Sequence, residues 1–201
     1  MKENTLEFYN NNCNQYYEST VAVDLSHIYS KFINELEAKS SILDLGCGSG
    51  RDSLYFKSKG YTITAIDGSK NLAQLASKLI GQDVIVSKFE DLELKDKYNG
   101  IWACSSLLHL KHNELEKLLV KIEKALDTNG VLYMSFKYGT KEYIDDKGRY
   151  FNCYTEESIS KLIEGSTDLK IKEIFKTVDV IPGREDVAWL NVICLNSKVY
   201  K

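Results

Sequence analysis

The sequence predicts an α/β fold built on a doubly wound, mostly parallel sheet of seven strands with an antiparallel last strand. Between residues 41 and 136, short apolar runs alternate with segments of helical period, which is typical of a parallel sheet covered on both faces. Two strand-like runs, 169–178 and 187–196, then follow without a helix between them, so we expect an antiparallel pair. The chain of 201 residues suits one compact domain with a sizeable core.

The first elements of this alternation are marked by their apolar period and by the glycines that end them. The first strand is the apolar run 41–45, and a short helix, 52–58, follows it. The second strand is 61–66. The next helix, 71–80, has leucine and alanine at helical spacing and ends at Gly81.

The later elements follow the same rules. Residues 84–86 begin a third strand, and 100–104 form a fourth. The helix 114–126 carries leucine and isoleucine on one face, which predicts that this face is buried. The apolar run 131–136 is the fifth strand, and Thr155 is expected to cap the N-terminus of another helix.

The turn after the first strand carries the strongest functional signal. Asp44 lies near the end of the strand, and glycines follow at alternate positions, Gly46, Gly48 and Gly50. Only glycine lets the backbone turn this sharply and approach a ligand this closely. A dinucleotide-binding turn reads G-x-G-x-x-G, but Arg51 stands at the last of these positions. The acid that precedes the glycines repels phosphates and attracts an ammonium group.

A second acid further restricts the kind of ligand that this turn could bind. Asp67 ends the second strand 21 residues after Gly46, close to the ~20-residue spacing at which an acid reaches ribose hydroxyls. S-adenosylmethionine has a ribose, an ammonium group and no phosphate. A turn that merely connects a strand to a helix would not need both acids. Residues 41–67 therefore resemble motifs I and II of the class I S-adenosylmethionine-dependent methyltransferases.

This resemblance implies a Rossmann-like fold, with S-adenosylmethionine as cofactor and S-adenosylhomocysteine as product. The chain is similar to the small-molecule methyltransferases of the tellurite-resistance and ubiquinone-biosynthesis type. In this family Asp44 and the glycine backbone would face the methionine half of the cofactor. Asp67 would bind both ribose hydroxyls, and Gly68 and Ser69 would flank the adenine.

The loops after the third and fourth strands complete the expected cofactor site. The family usually has an acid that accepts a hydrogen bond from the adenine amino group, and Glu90 or Asp91 is the candidate here. Phe89 is expected either to stack on the adenine or to fill the core. Cys104 belongs to a run of small residues, which would allow backbone carbonyls to approach the sulfonium and ammonium groups. His109 is either a catalytic base or a structural residue that packs beneath the cofactor or begins the next helix.

The N-terminal segment is unusually aromatic and polar. Similar small-molecule methyltransferases use such a segment as a lid over the cofactor, so residues 1–40 are expected to form a helical lid on a methyltransferase domain of residues 41–201. Tyr9 and Tyr17 are the candidates for cofactor contact. The alternative is that they pack the first helix against the sheet.

Cations and aromatic residues recur on the last loops, where we expect the methyl acceptor to bind. The candidates are Lys137, Tyr138, Arg149, Arg184 and Trp189. Cations beside aromatic rings suit a planar or anionic small molecule. The alternative reading is that these are ordinary turn residues with solvated charges, and for Arg149 the two readings are equally favoured.

The composition argues against several other classes of protein. The net charge of −3 and the dispersed lysines are unlike a nucleic-acid-binding surface. The five cysteines show no C-x-x-C spacing, so no metal site is predicted. No apolar run reaches the ~18 residues that suggest a membrane span. The N-terminus lacks the apolar core of a signal peptide, and a cytoplasmic location is expected.

The sequence thus predicts an S-adenosylmethionine-dependent methyltransferase that acts on a small molecule. One alternative is an RNA or protein methyltransferase. Cys104-Ser-Ser-Leu stands where base methyltransferases carry an Asn-Pro-Pro-Tyr-type motif, which counts against base methylation. A second alternative is a module that binds S-adenosylmethionine without catalysis.

Overall fold

The computed structural model describes residues 3–181 and 183–197. The outermost residues of the predicted ranges 1–40 and 41–201 and residue 182 lie outside this description. The helices are α1 (Glu3–Asn11), α2 (Cys13–Thr20), α3 (Ser26–Ile33), α4 (Arg51–Ser58), α5 (Lys70–Ile80), α6 (His112–Ala125) and α7 (Glu156–Ser166). The strands are β1 (Ser41–Leu45), β2 (Thr62–Asp67), β3 (Ile85–Val86), β4 (Tyr98–Ala103), β5 (Leu126–Lys137), β6 (Glu142–Ile144), β7 (Tyr150–Asn152), β8 (Lys170–Val178) and β9 (Ala188–Leu195).

The main sheet has seven strands in the order β3-β2-β1-β4-β5-β9-β8. Strands β1 to β5 are parallel to one another. Strand β9 inserts antiparallel between β5 and β8. The predicted doubly wound, Rossmann-like α/β fold is therefore confirmed. The sheet order reverses at β1 and β4, and the carboxyl ends of these two strands are where such folds bind ligands.

Helices cover both faces of the sheet, and each face has its own apolar cluster. On one face, α6 and α7 bury leucine and isoleucine against β4 and β5. On the other face, α3, α4 and α5 pack around Trp102, whose ring stacks on that of Tyr133 at a centroid distance of 3.9 Å. Both side chains are fully buried. Stacked aromatic rings on neighbouring strands hold this face rigid directly beneath the carboxyl ends of β4 and β5.

The N-terminal segment divides into two parts. Helix α3 belongs to the core, because Ile28, Tyr29 and Phe32 lie on one face of the helix and are buried against the sheet. Helices α1 and α2 lie over the ligand-binding end of the sheet instead. Within the described part of the predicted lid, these two helices lie over the site, while Val23, Leu25 and the start of α3 (His27 and Ile28) line its larger cavity from the side.

The boundaries of two strands differ from the predicted ones. Strand β5 begins at Leu126, directly after α6, whereas the apolar run starts at Val131. Leu126 pairs with Tyr98 on β4, and the register shifts before the next pair, Gly100 with Val131, so the polar stretch lies at this shift. Strand β3 has only two residues, since the chain leaves the sheet after Val86. The predicted cap of α7 is confirmed, because Thr155 accepts a hydrogen bond from the backbone of Ser158.

A small hairpin after β5 completes the fold. Strands β6 and β7 pair antiparallel and are separate from the main sheet. The turn between them is closed by Asp145, whose carboxylate accepts hydrogen bonds from the backbone of Lys147 and Arg149. This hairpin lies beside the ligand-binding end of the sheet. Among the described residues, no helix has the length and apolar character needed to cross a membrane.

Candidate active site

A cavity of about 470 Å³ opens at the carboxyl ends of β1, β4 and β5. A smaller space of about 40 Å³ lies beside it, next to Asp67 at the end of β2. The two spaces share the walls formed by Gly46, Gly48 and His109. They are therefore two parts of one cleft, which is divided by side chains of α1 and α2.

The glycine turn forms the boundary between the two parts. Gly46 has a φ of +85°, and a Cβ at this position would lie 2.4 Å from the Cβ of Ser106. Gly48 has a φ of +55°, and its Cβ would lie 3.3 Å from the ring of Tyr16. Both positions require glycine for the backbone conformation and for the close approach. A side chain at either position would fill the cradle that the backbone leaves open.

Gly50 has a different role from the other two glycines. It does not line either part of the cleft. A Cβ at Gly50 would lie 3.1 Å from the Cα of Ala76 on α5. The absence of a side chain therefore lets α4 begin directly against α5.

Asp67 lines the smaller space and holds the glycine turn in place. One carboxylate oxygen accepts a hydrogen bond from the backbone of Gly48 at 2.8 Å, and the other accepts one from Ser69 at 2.7 Å. Burial raises the pKa of Asp67, while these two hydrogen bonds lower it. Each oxygen keeps one further lone pair, so the carboxylate can still accept hydrogen bonds from a ligand.

The two residues after Asp67 have different positions. Gly68 lines the smaller space, and a Cβ there would lie 2.7 Å from Leu6 on α1. Ser69 is buried and does not line the cleft; it caps α5 by accepting a hydrogen bond from Leu72. Its hydroxyl also donates to Asn10 at the end of α1. The lid is thus attached directly beside the ribose-binding candidate.

Asp44 lies beneath the turn and lines neither part of the cleft. Its carboxylate accepts a hydrogen bond of 2.6 Å from the Ser53 hydroxyl. Burial, and then the charge of Asp52, raises the pKa of Asp44 to about 8. The acid that does line the cavity on this side is Asp52, which the sequence analysis did not select.

Asp52 is the centre of a buried hydrogen-bond network. It accepts hydrogen bonds from Arg51 Nε at 2.5 Å, from the Tyr29 hydroxyl at 2.5 Å and from Trp102 Nε1 at 2.8 Å. Burial opposes ionisation, but the Arg51 charge and the three hydrogen bonds lower the pKa of Asp52 below its usual range. A carboxylate with these partners is ionised, and Arg51 is neutralised by it.

The loop after β3 places only one of its candidates in the cleft. Phe89 is buried and lines the smaller space. The side chains of Glu90 and Asp91 are exposed, and neither lines the cleft. The reason is that β3 ends early, so the loop turns away from the sheet before it reaches these two acids. An acid that meets the adenine amino group is therefore not in position in this structure.

The end of β4 lines the larger cavity with small residues. Burial raises the pKa of the Cys104 thiol to about 11, so the thiol is neutral. Ser105 follows with a φ of +52°, a conformation that a residue other than glycine rarely adopts. Its backbone N–H donates to the Ser135 hydroxyl at 2.8 Å. Backbone strain of this kind is frequent where a ligand is bound.

His109 has a defined tautomer. Its Nδ1 lies 2.6 Å from the carbonyl oxygen of Tyr150, and a carbonyl only accepts, so Nδ1 carries the proton. Nε2 then accepts a hydrogen bond of 2.8 Å from the Tyr9 hydroxyl. Burial lowers the pKa of His109 to about 4. The imidazole is therefore neutral near pH 7, and its Nε2 lone pair points to the lid.

The lid contributes two tyrosines to the cleft. Tyr9 and Tyr16 line both of its parts, and their rings meet edge to face at a centroid distance of 5.1 Å. The sequence analysis selected Tyr17 rather than Tyr16. Successive residues of a helix are separated by about 100°, so only one of these neighbours can face the cleft, and Tyr17 does not line it.

Polar side chains of β5 and β9 form the floor of the larger cavity. Strand β5 contributes alternate residues of one face, Tyr133, Ser135 and Lys137. Strand β9 contributes Asn191 opposite Ser135, and Trp189 opposite Lys137. The Tyr133 hydroxyl donates to Asn191 Oδ1 at 2.7 Å. The polar side chains therefore bind one another and form a rigid floor.

The structure brings most of the predicted acceptor-binding residues to the larger cavity. Lys137, Arg149, Arg184 and Trp189 line it. The Arg149 guanidinium is paired with Asp145 at 2.7 Å, and Arg184 is exposed on the loop between β8 and β9. Tyr138 does not line the cleft, because its side chain lies on the other face of the strand, where Lys176 Nζ lies 3.8 Å from the ring centroid.

Several lining residues were missed by the sequence analysis; besides Asp52 and Tyr16 they include Arg51, Thr177, Tyr133, Ser135 and Asn191. The alternation of polar and apolar residues in β5 and β9 was a signal for the last three. Polar residues at every second position of an otherwise apolar strand mark the face that meets a ligand or solvent. Among the described residues, no group of three or more potential metal ligands is present.

Comparison with known proteins shows what this chain is similar to. Residues 43–134 match the family model described as a methyltransferase domain. This segment runs from β1 through β5 and includes the glycine turn and Asp67. The matched segment of the chain is similar to a methyltransferase domain. The resemblance seen in motifs I and II is thereby confirmed.

Relatives of this methyltransferase domain agree with the assignment. An uncharacterized methyltransferase of Staphylococcus carnosus is 27% identical over 127 residues, which is 62% of this chain and 61% of that protein. The chain spans about half the length of the other curated relatives it matches.

Solved structures share the fold of the methyltransferase domain. The 1,6-didemethyltoxoflavin-N1-methyltransferase of Burkholderia thailandensis, solved with 1,6-didemethyltoxoflavin and S-adenosylhomocysteine, has a TM-score of 0.75 at 18% identity, covering 96% of this chain and 88% of that one. A TehB-like methyltransferase of Corynebacterium glutamicum has a TM-score of 0.70 at 18% identity, covering 92% and 97%. At this identity the likeness shows the fold alone.

Proposed function

We propose that this protein transfers a methyl group from S-adenosylmethionine to a small molecule. The observation that carries the proposal is that the glycine cradle continues directly into a cavity of about 470 Å³. This volume lies within the ~300–1,000 Å³ of typical small-molecule sites. The similarity to a methyltransferase that was solved with a small molecule and S-adenosylhomocysteine supports it.

The residues at the glycine cradle fit S-adenosylmethionine. Gly46 and Gly48 leave space that a Cβ would fill, and Asp67 has free lone pairs on a carboxylate that is already oriented by the backbone. We propose that Asp67 accepts hydrogen bonds from the ribose hydroxyls. S-adenosylmethionine supplies a methyl group bonded to a positively charged sulfur, so the protein needs only to align an acceptor with it.

The lid has to move before the adenosine can bind. The space beside Asp67 is about 40 Å³, far below the ~300 Å³ of a small ligand site. Leu6, Tyr9 and Tyr16 occupy the remainder. We propose that α1 and α2 swing aside for the cofactor and then close over it, which excludes water from the site.

We propose that His109 positions the acceptor rather than acting as a strong base. With a pKa of about 4, the imidazole is a weak proton acceptor at neutral pH. Its Nε2 lone pair can instead accept a hydrogen bond from the acceptor when Tyr9 moves away. Alignment alone can supply ~7–11 kcal/mol of the barrier reduction, which is sufficient for transfer from a sulfonium.

Incubation of the protein with methyl-labelled S-adenosylmethionine and a cell extract tests the proposal. We expect label in the small-molecule fraction, and none when Asp67→Ala replaces the wild type. Asp83→Asn, a change at an acid that lines neither part of the cleft, is the matched control and should retain transfer. Label in RNA or protein would instead support a macromolecular acceptor. Tight cofactor binding with no labelled product would support a binding module without catalysis.

A further inference from the structure

A cation and an indole lie side by side at the end of the cavity floor. Lys137 on β5 and Trp189 on β9 are direct partners in the antiparallel ladder, and Thr177 on β8 is the next partner of Trp189. Directly opposite residues share one face of the sheet, with Cβ atoms ~4.5–5.5 Å apart. All three line the larger cavity. A single small molecule can therefore contact both the ammonium and the indole.

The ammonium group of Lys137 is only partly satisfied within the protein. Nζ donates to the Tyr143 hydroxyl at 2.8 Å and lies 3.9 Å from the ring centroid of Phe151. In the described part of the chain, no carboxylate lies within ion-pair distance of it. An ammonium has three N–H donors, so two of them remain available to a ligand.

The other positively charged side chains that line the cavity are either paired with a carboxylate or exposed to solvent. Arg51 is neutralised by Asp52, and Arg149 binds Asp145 through two nitrogens at 2.9 and 2.7 Å. Arg184 and Lys147, which also line the cavity, are exposed on their loops, where their charges are solvated. The half-buried positive charge that the cavity offers to a ligand therefore comes from Lys137.

Trp189 is held in a fixed orientation. Its Nε1 donates to Asp179 Oδ2 at 3.1 Å, and Asp179 is itself fixed because its other oxygen accepts from the backbone of Ile181. The apolar side chain of Val187 lines the cavity on the same side. The exposed part of the indole thus presents a rigid apolar surface, which suits a flat ring.

We propose that the methyl acceptor is a planar organic anion, with an aromatic ring against Trp189 and a carboxylate against Lys137. This inference rests on the proposed methyl transfer to a small molecule. Ser135 and Asn191, the other polar groups of the floor, bind Ser105, Tyr133 and Thr177 and contribute no charge. A charged acceptor is favoured because a half-buried ammonium gains most from an ionised partner.

Calorimetric titration with three probes of one shape tests this inference. The probes are naphthalene-2-carboxylate, its neutral carboxamide and the corresponding methylammonium compound, each added with and without S-adenosylhomocysteine. We expect the carboxylate to bind the wild type at least about tenfold more tightly than the carboxamide, since a charge-assisted bond replaces a neutral one. The cationic probe should bind most weakly.

Variants assign the preference to its residues. Lys137→Met should bind the carboxylate and the carboxamide equally, whereas Lys137→Arg should retain most of the preference. Trp189→Leu should weaken both probes by a similar factor. Lys141→Met removes an exposed lysine that does not line the cavity, and it should behave as the wild type. Circular dichroism and S-adenosylhomocysteine affinity verify that each variant is folded.

The inference is overturned if the neutral or cationic probe binds as tightly as the carboxylate. It is also overturned if the carboxylate does not bind at millimolar concentration, or if Lys137→Met leaves the preference unchanged. Failure of the methyltransferase proposal is seen separately, as absence of S-adenosylmethionine binding or as binding without any labelled product. The titrations without S-adenosylhomocysteine report on Lys137 and Trp189 in either case.

Discussion

Replacement of Asp67 by asparagine separates the two roles of this side chain. The carboxylate accepts one backbone hydrogen bond on each oxygen, a partly buried one from Gly48 at 2.8 Å and a buried one from Ser69 at 2.7 Å. An asparagine side chain is nearly the same size, but its amide nitrogen is a donor. In Asp67→Asn, one of the two backbone N–H groups therefore faces another donor and loses its partner.

The magnitude follows from these contacts. A buried donor without a partner costs ~1–3 kcal/mol, so we expect the free energy of unfolding to fall by about 2 kcal/mol. A ribose hydroxyl that binds a neutral amide rather than a carboxylate loses a charge-assisted hydrogen bond. We expect the affinity for S-adenosylmethionine to fall about tenfold to a hundredfold, which corresponds to ~1.4–2.8 kcal/mol. The loss should be larger in Asp67→Ala, which keeps neither acceptor.

Urea unfolding measures the first effect, and isothermal titration of S-adenosylmethionine and S-adenosylhomocysteine measures the second. Asp83→Asn is the control, because it removes the same charge from a position that lines neither part of the cleft. Unchanged cofactor affinity in folded Asp67→Asn would refute the assignment of this carboxylate to the ribose. Unchanged stability would refute its role in holding the glycine turn.

Three further predictions concern the turn, the imidazole and the lid. Gly46 and Gly60 both have positive φ, but a Cβ at Gly46 would lie 2.4 Å from Ser106, whereas a Cβ at Gly60 would face open space. In urea unfolding, Gly46→Ala should therefore lower the free energy of unfolding by ~1–3 kcal/mol more than Gly60→Ala does. Equal decreases would contradict the steric argument. The pKa of His109 is lowered to about 4, so its contribution to stability is complete above the ordinary pKa of 6.5 and is lost as the pH falls towards 4. Between pH 7 and pH 4.5 we therefore expect the free energy of unfolding of the wild type to fall by about 2 kcal/mol more than that of His109→Gln, as measured by urea titration. Parallel pH dependences of the two proteins would exclude this effect. In stopped-flow fluorescence, the observed rate of cofactor binding should reach a plateau that is set by lid opening. Tyr9→Phe should raise the plateau rate about fivefold, because it removes a hydrogen bond of ~1 kcal/mol to His109. A rate that stays linear in cofactor concentration would mean that the lid does not limit entry.

Most of the fold could be predicted from local signals in the sequence. The order of strands and helices follows from apolar period and from glycine stops, as at Gly81 after α5, where the left-handed conformation ends the helix. The antiparallel pair β8 and β9 was predicted because no helical segment separates them. The start of β5 at Leu126 was not predicted, because Leu126 pairs with Tyr98 on β4 but the polar stretch after it lies at a register shift and shows no strand pattern before Val131.

The residues proposed to bind the cofactor could be predicted from the sequence where the residue type itself is required by the backbone conformation. Gly46 and Gly48 need positive φ, and Asp67 follows at the end of the next strand, so their spacing along the chain is itself the signal. Either Glu90 or Asp91 was expected to reach the adenine. The length of β3 decides where this loop points, and two residues of strand carry too little pattern to predict it.

Residue types and spacings alone predicted the similarity to a methyltransferase domain, because the glycine turn and the two acids flanking it are local features of the chain. Only the tertiary structure decided which tyrosine of α2 enters the cleft, since that depends on how the helix is rotated against the glycine turn. It also decided that Lys137 lies beside Trp189, far along the chain from it, because strand pairing between β5 and β9 brings them together. The proposed acceptor site is formed by side chains that are distant in sequence, and no local sequence pattern predicts which of them become neighbours.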